Sequence, residues 1–163
     1  MSDVTKRIAL VPGSFDPITN GHVSIVDIAA SEYDTVYVAV MVNASKEYMF
    51  SLEERTEIAK ACFKGRDNIC VISSDGWLWQ LANELGACAI VKGYRNDRDL
   101  EYEREMATFN DSHCTSAKTV LIKAREDMTD LCSTSVRELI KNGDSLEHLV
   151  PYAAIEKIKE IVK

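Results

Sequence analysis

Positive charge is in short supply. Lysine and arginine number 19 against 26 aspartates and glutamates, which leaves a net charge of −7 and a pI near 5.0. That excludes a nucleic-acid protein held by a broad basic face, though not a local basic pocket. Paired or metal-spaced cysteine is missing too. The five cysteines, Cys62, Cys70, Cys88, Cys114 and Cys132, are odd in number and lack metal-site spacing, so neither a disulfide framework nor a zinc site is expected. Three of them sit in apolar patterns, where free Cys behaves as a small hydrophobe. A reducing cytoplasm fits this usage. No signal-peptide core opens the chain, and no apolar run is long enough to cross a bilayer. A Walker loop, G-x-x-x-x-G-K-[ST], is missing. So is G-x-G-x-x-G after the first apolar run, which argues against a nicotinamide or flavin cofactor.

What remains is an ordinary soluble composition, 46% apolar and 28% charged over 163 residues, the size of one domain with a sizeable core. A single domain over 1–163 is expected, with 1–6 frayed. Apolar runs at 7–12, 35–42, 69–72, 88–91 and 119–123 alternate with helical patterns at 20–32, 51–63, 77–85 and 99–111. Two more helices are expected, one over 136–141 and a last one entered near Pro151. Thr35 to Val42 is apolar almost throughout, as a strand covered on both faces reads. Ser51 with Glu54 forms a capping box, and Ser135 with Glu138 a second one. Gly86 stops the helix before it, as glycine does at a C-terminal cap. Strand and helix alternating with short connections imply an α/β fold with a parallel sheet and helices on both faces. The charge run from Asp97 to Glu105 reads as a solvated helix face, and His113 and His148 as structural or exposed.

Polar clusters follow the strand ends. Val11-Pro12-Gly13-Ser14-Phe15-Asp16-Pro17-Ile18-Thr19-Asn20-Gly21-His22 turns the first strand into a helix that carries His22 in its first turn. A helix N-terminus there offers free N–H groups and partial positive charge, which suits phosphate. Lys46 stands in the next such loop, Lys92-Gly93-Tyr94-Arg95 follows the fourth strand, and Ser133-Thr134 opens a later helix. The carboxyl ends of parallel strands share one edge, where ligands bind. Taken singly each cluster is modest; together they describe a polyphosphate site in an acidic protein.

These residues carry a family resemblance. Gly13 to His22 resembles the signature loop of the T-x-G-H nucleotidyltransferases. The likeness runs on through Ser45-Lys46, Met49 to Arg55, Gly93-Tyr94-Arg95, Asp99 to Glu103, Asn110 and Ser133-Thr134, which is similar to the phosphopantetheine adenylyltransferase family over nearly the whole chain. The resemblance implies a Rossmann-like three-layer α/β/α fold with a five-stranded parallel sheet. It implies transfer of AMP from ATP to 4′-phosphopantetheine, giving dephospho-coenzyme A and pyrophosphate, with Mg²⁺ accompanying the ATP, and a homohexamer in the cytoplasm. It implies His22 as the catalytic donor to the α-phosphate. ATP would meet Ser14, Phe15, His22, Gly93, Tyr94, Arg95, Glu103, Met128, Ser133 and Thr134. The acceptor would meet Ser14, Lys46, Leu78 and Lys92. Three departures stand out: Lys92 where the family usually has Arg, Cys132 where it has Ser, and Trp77-Leu78-Trp79 in place of smaller aliphatic residues along the acceptor's arm. Two other readings stay open at this point. One is the same chemistry on another phosphate acceptor, such as nicotinamide mononucleotide or glycerol phosphate. The other is a nucleotide- or coenzyme-A-binding protein without turnover.

Overall fold

A run of β-branched residues with no charge cannot rest on a wet surface, and the strand β2 (Thr35–Met41) is buried near the middle of a sheet. The computed structural model describes residues 6–113 and 116–163; Cys114 and most of the expected N-terminal fray lie outside them. Five parallel strands, β1 (Ile8–Gly13), β2, β3 (Ile69–Ser74), β4 (Ala89–Tyr94) and β5 (Lys118–Lys123), lie in the order β3-β2-β1-β4-β5. This is the expected Rossmann-like α/β fold.

Side chains alternate across the sheet. Ala9, Val11, Val36, Val38, Val40, Ala89 and Val91 face one core. That core holds residues of α1 (Asn20–Glu32), α2 (Leu52–Cys62), α5 (Ser133–Asn142) and α6 (Tyr152–Ile161). Leu10, Ala39 and Ile90 face a second, smaller one with Ala82 and Leu78 of α3 (Leu78–Leu85). Helix α4 (Asp97–His113) packs beside α3 and over β4 and β5.

Local signals explain several boundaries. Ser51 Oγ accepts from Glu54 N–H and Glu54 returns the bond to Ser51 N–H, so the first capping box is present. Gly86 ends α3 at φ 66°, a left-handed conformation that favours glycine. The second expected box is absent. Helix α5 begins at Ser133, with Cys132 as its N-cap and no side-chain cap bond, and Ser135 Oγ donates back to Cys132 O. Strand β4 also outruns its apolar stretch: Lys92, Gly93 and Tyr94 pair with Leu121, Ile122 and Lys123, so these polar residues end the strand rather than follow it. The cysteines divide as well. Cys62 is half-buried and its thiol is pushed up to about 12 by burial, but Cys70 and Cys88 are exposed, against the expectation from their apolar neighbours.

The feature that positions the site is a divergence. The ladder between β1 and β4 runs only through Ala9↔Ala89 and Leu10↔Ile90, although both strands continue beyond it. Here the strand order reverses direction, and a crevice opens at the carboxyl ends. Gly93 lets β4 pass α1 closely, since a Cβ there would meet Ile25 Cγ1 at 2.9 Å.

Candidate active site

The crevice is a cavity of about 1100 Å³. All the expected site residues line it: Ser14, Phe15, His22, Lys46, Leu78, Lys92, Gly93, Tyr94, Arg95, Glu103, Met128, Ser133 and Thr134. They come from the β1–α1 loop and the start of α1, the loop after β2, α3, the end of β4 and the residue after it, α4, and the stretch from the 3₁₀ turn Glu126–Met128 into α5.

His22 is built into the cap of α1. Thr19 is the N-cap, and its Oγ1 accepts from His22 N–H at 3.4 Å. In return Thr19 N–H donates to His22 Nδ1 at 3.0 Å. The imidazole thus takes the place usually held by a glutamate in a capping box. Because Nδ1 accepts, the ring proton belongs on Nε2. Burial, with the Arg95 charge nearby, lowers the His22 pKa to about 4. At neutral pH the ring is therefore uncharged, with one N–H available as a donor. Phe15 braces it edge-on at 5.0 Å.

The cations are held by carboxylates. Lys92 Nζ lies 2.7 Å from Glu103 Oε2, a buried oxygen with no hydrogen bond among the described residues. Arg95 Nε donates to Asp99 Oδ2 at 3.0 Å. Glu103 and Asp99 therefore turn inward from a helix expected to be solvated along this charge run. Lys46 remains exposed in a loop closed by Asn43, whose carbonyl accepts from Lys46 N–H at 3.0 Å. Ser133 Oγ donates to Pro17 O at 2.9 Å, tying α5 to the β1–α1 loop.

Two arginines organise these loops, and neither carries a role in the sequence reading. Arg55 is 1% exposed. Its guanidinium donates to Ser14 O at 2.7 Å, Met41 O at 2.9 Å and Phe50 O at 3.3 Å, and stacks 3.9 Å over the Tyr48 ring. Burial pulls its pKa down from the ordinary value, with Tyr48 and Asp16 opposing, and it stays cationic. Arg137 reaches from α5 to Asp16 O at 2.9 Å. Asp16 itself accepts from Met49 N–H and Phe50 N–H, each at 3.0 Å. Arg55 was legible only as the last residue of the Met49 to Arg55 segment. Arg137, one basic residue in an amphipathic helix, had no local signal.

Part of the cavity lining is apolar. Trp77, Leu78, Tyr102, Met106 and Phe109 line it. Trp79 turns away, packs 5.3 Å from His113 and joins the smaller core. His113 and His148 are exposed, as expected.

Basic, hydroxyl-bearing and apolar side chains thus share one cavity. Residues 10–139 match the cytidylyltransferase-like family model. A phosphopantetheine adenylyltransferase of Lactobacillus acidophilus is 40% identical over 94% of this chain and 96% of its own length. One from Lactobacillus johnsonii is 38% identical over 93% and 92%. The chain belongs to the phosphopantetheine adenylyltransferase family. A relative of that name from Caldanaerobacter subterraneus is 37% identical over 96% of this chain and 98% of its own.

Within this phosphopantetheine adenylyltransferase scaffold, the departures have clear settings. Lys92 is a point charge already paired with Glu103, where an arginine would offer a fork. Cys132 caps α5 only through its backbone. Burial pushes its thiol up, but hydrogen bonds from Ser135, the Arg95 charge and Thr134 outweigh this, and the net shift is downward.

Proposed function

We propose that this protein transfers the adenylyl group of ATP to the phosphate of 4′-phosphopantetheine, releasing pyrophosphate and forming dephospho-coenzyme A. An acceptor phosphate oxygen attacks the α-phosphorus in line. The bond from the α-phosphorus to the bridging oxygen breaks, and pyrophosphate leaves with the electron pair. The attacking oxygen is already anionic, so no base is required. The protein's task is to position the partners and stabilise charge on the equatorial oxygens.

The observation that carries this reading is the neutral, tautomer-fixed His22 in the cleft among Lys46, Lys92 and Arg95. A neutral Nε2–H suits a donor to an α-phosphate oxygen and suits neither a base nor a nucleophile in this reaction. Ser14 is assigned to the seam between the substrates. Lys46 and Lys92 are assigned to the acceptor phosphate, with Leu78 along the acceptor's arm. Phe15, Gly93, Tyr94, Arg95, Glu103 and Met128 are assigned to ATP, with the backbone N–H of Ser133 and the hydroxyl of Thr134 at its β- and γ-phosphates.

Mg²⁺ is proposed to arrive on the ATP phosphates and to neutralise their charge. Asp16, Asp99 and Glu103 are each engaged by N–H groups or a lysine, and among the described residues no cluster of three ligands is set for a metal. A homohexamer in the cytoplasm is part of the same proposal, and light scattering of the purified protein tests its first half. No described helix is long and apolar enough to cross a membrane.

The deciding experiment is pyrophosphate release with ATP or CTP against a panel of acceptors. Turnover is expected with ATP and 4′-phosphopantetheine. Preference for nicotinamide mononucleotide or glycerol phosphate, or tight ATP binding with no turnover on any acceptor, would overturn the assignment.

A further inference from the structure

We propose that Arg137 is a positioning residue for nucleotide binding, acting by presetting the Thr134 hydroxyl as a donor to the ATP β- and γ-phosphates. This rests on the assignment of ATP to the cleft made above. Arg137 Nη2 donates to Thr134 Oγ1 at 3.1 Å. Arg137 Nη1 donates to Asp16 O at 2.9 Å and stands 3.8 Å from the Asp16 carboxylate. That anchor is firm, because the Asp16 side chain is 4% exposed and both its oxygens accept backbone N–H groups.

A threonine hydroxyl has one proton and two accepting lone pairs. With a guanidinium N–H on one lone pair, its proton points elsewhere, and exposed Thr134 lines the cleft. The neighbouring hydroxyl is arranged the opposite way. Ser133 gives its proton to Pro17 O at 2.9 Å. Two adjacent hydroxyls, equivalent in sequence, thus do different work. Ser133 joins α5 to the β1–α1 loop, and Thr134 offers a proton to an incoming anion. The same guanidinium fixes the distance between Asp16 and Thr134, hence between the loop that leads into α1 and the start of α5.

The test is ATP affinity by calorimetry without any acceptor. Failure of the acceptor assignment therefore leaves it intact, and failure of the Arg137 role leaves that assignment intact. Arg137→Ala and Thr134→Val are each expected to weaken ATP and pyrophosphate binding about tenfold, the order of one charge-assisted hydrogen bond. The double variant should lose no more than the weaker single variant. AMP, which lacks the β- and γ-phosphates, should bind every variant within about twofold of the unaltered protein. Arg137→Lys should recover only part of the loss, since an ammonium cannot span both oxygens as the fork does. Losses that multiply in the double variant, or an equal loss of AMP binding, would overturn the proposal. The first would mean an independent contact with phosphate and the second a general scaffold role. Should Arg137→Ala fail to fold, Arg137→Lys combined with Thr134→Val completes the same cycle.

Discussion

His22 serves two purposes with one ring. Its Nδ1 completes the cap of α1, and its Nε2–H is left as the donor proposed for the α-phosphate. Replacing it with alanine removes the donor, and kcat is expected to fall by roughly 10²–10³-fold, as for other preorganised donors. Steady-state kinetics of a variant shown to be folded by circular dichroism would check this. The lowered pKa has a consequence for stability. Unfolded, the ring takes up a proton near its ordinary value of 6.5; folded, it resists protonation down to about 4. Between those values the unfolded chain binds more protons, so this contribution is complete above 6.5 and is lost as pH falls towards 4. Urea denaturation at a series of pH values should show that slope, and His22→Gln should flatten it. Arg55 is the other residue on which the site depends. Three backbone carbonyls from three segments accept from it. Arg55→Ala orphans them together, and a loss of about 3 kcal/mol is expected from the denaturation midpoint. Activity should fall with it, because Ser14 loses its anchor.

Elements report how far local sequence reaches. The Ser51–Glu54 box was legible because both partners lie within one turn, and nothing from elsewhere competes for them. Ser51→Ala should cost about 1 kcal/mol of stability and leave KM for both substrates unchanged. An equal change in either KM would mean that the start of α2 reaches the cleft. The start of α5 was not legible for the same local reason turned around. Ser133, Thr134 and Ser135 all offer capping oxygens, and the choice among them is set by the distant β1–α1 loop, directly through Pro17 and through Arg137 held on Asp16. Pro17 O claims Ser133 and Arg137 claims Thr134, so the helix starts earlier than a Ser135 cap would allow. The end of β4 follows the same rule. Lys92 to Tyr94 carry no apolar pattern, yet they stay in the ladder because β5 pairs with them while β1 has turned away. Hydrophobic periodicity finds the part of an element that faces a core. It is silent where an element faces a ligand.

At the scale of the whole molecule, the alternation of strands with helices and the nearly all-apolar β2 led directly to the parallel sheet, and the edge where polar loops gather followed from it. Ser14, His22, Lys46, Lys92 to Arg95, Ser133 and Thr134 were legible because they follow a strand or open a helix, whereas Leu78 and Met128 came only with the family likeness, which gave all of them roles. The division of the cavity was not legible, since which of Trp77 and Trp79 faces the cleft depends on how α3 meets α4. Trp77 is 61% exposed, lies 5.9 Å from the Phe109 ring and lines the cavity with it. Trp79 is packed against His113. These are the two tryptophans of the chain, so Trp79→Phe leaves Trp77 as the single reporter. Its emission should change when 4′-phosphopantetheine is added and stay constant with ATP alone. Trp77→Ala should raise KM for 4′-phosphopantetheine about tenfold, the order expected for losing partial burial of one aromatic ring. KM for ATP should not move, because the nucleotide is assigned to the polar part. If both KM values rose together, the apolar wall would be shaping the whole crevice instead of holding one substrate's arm, and the two-part reading of the cavity would fail.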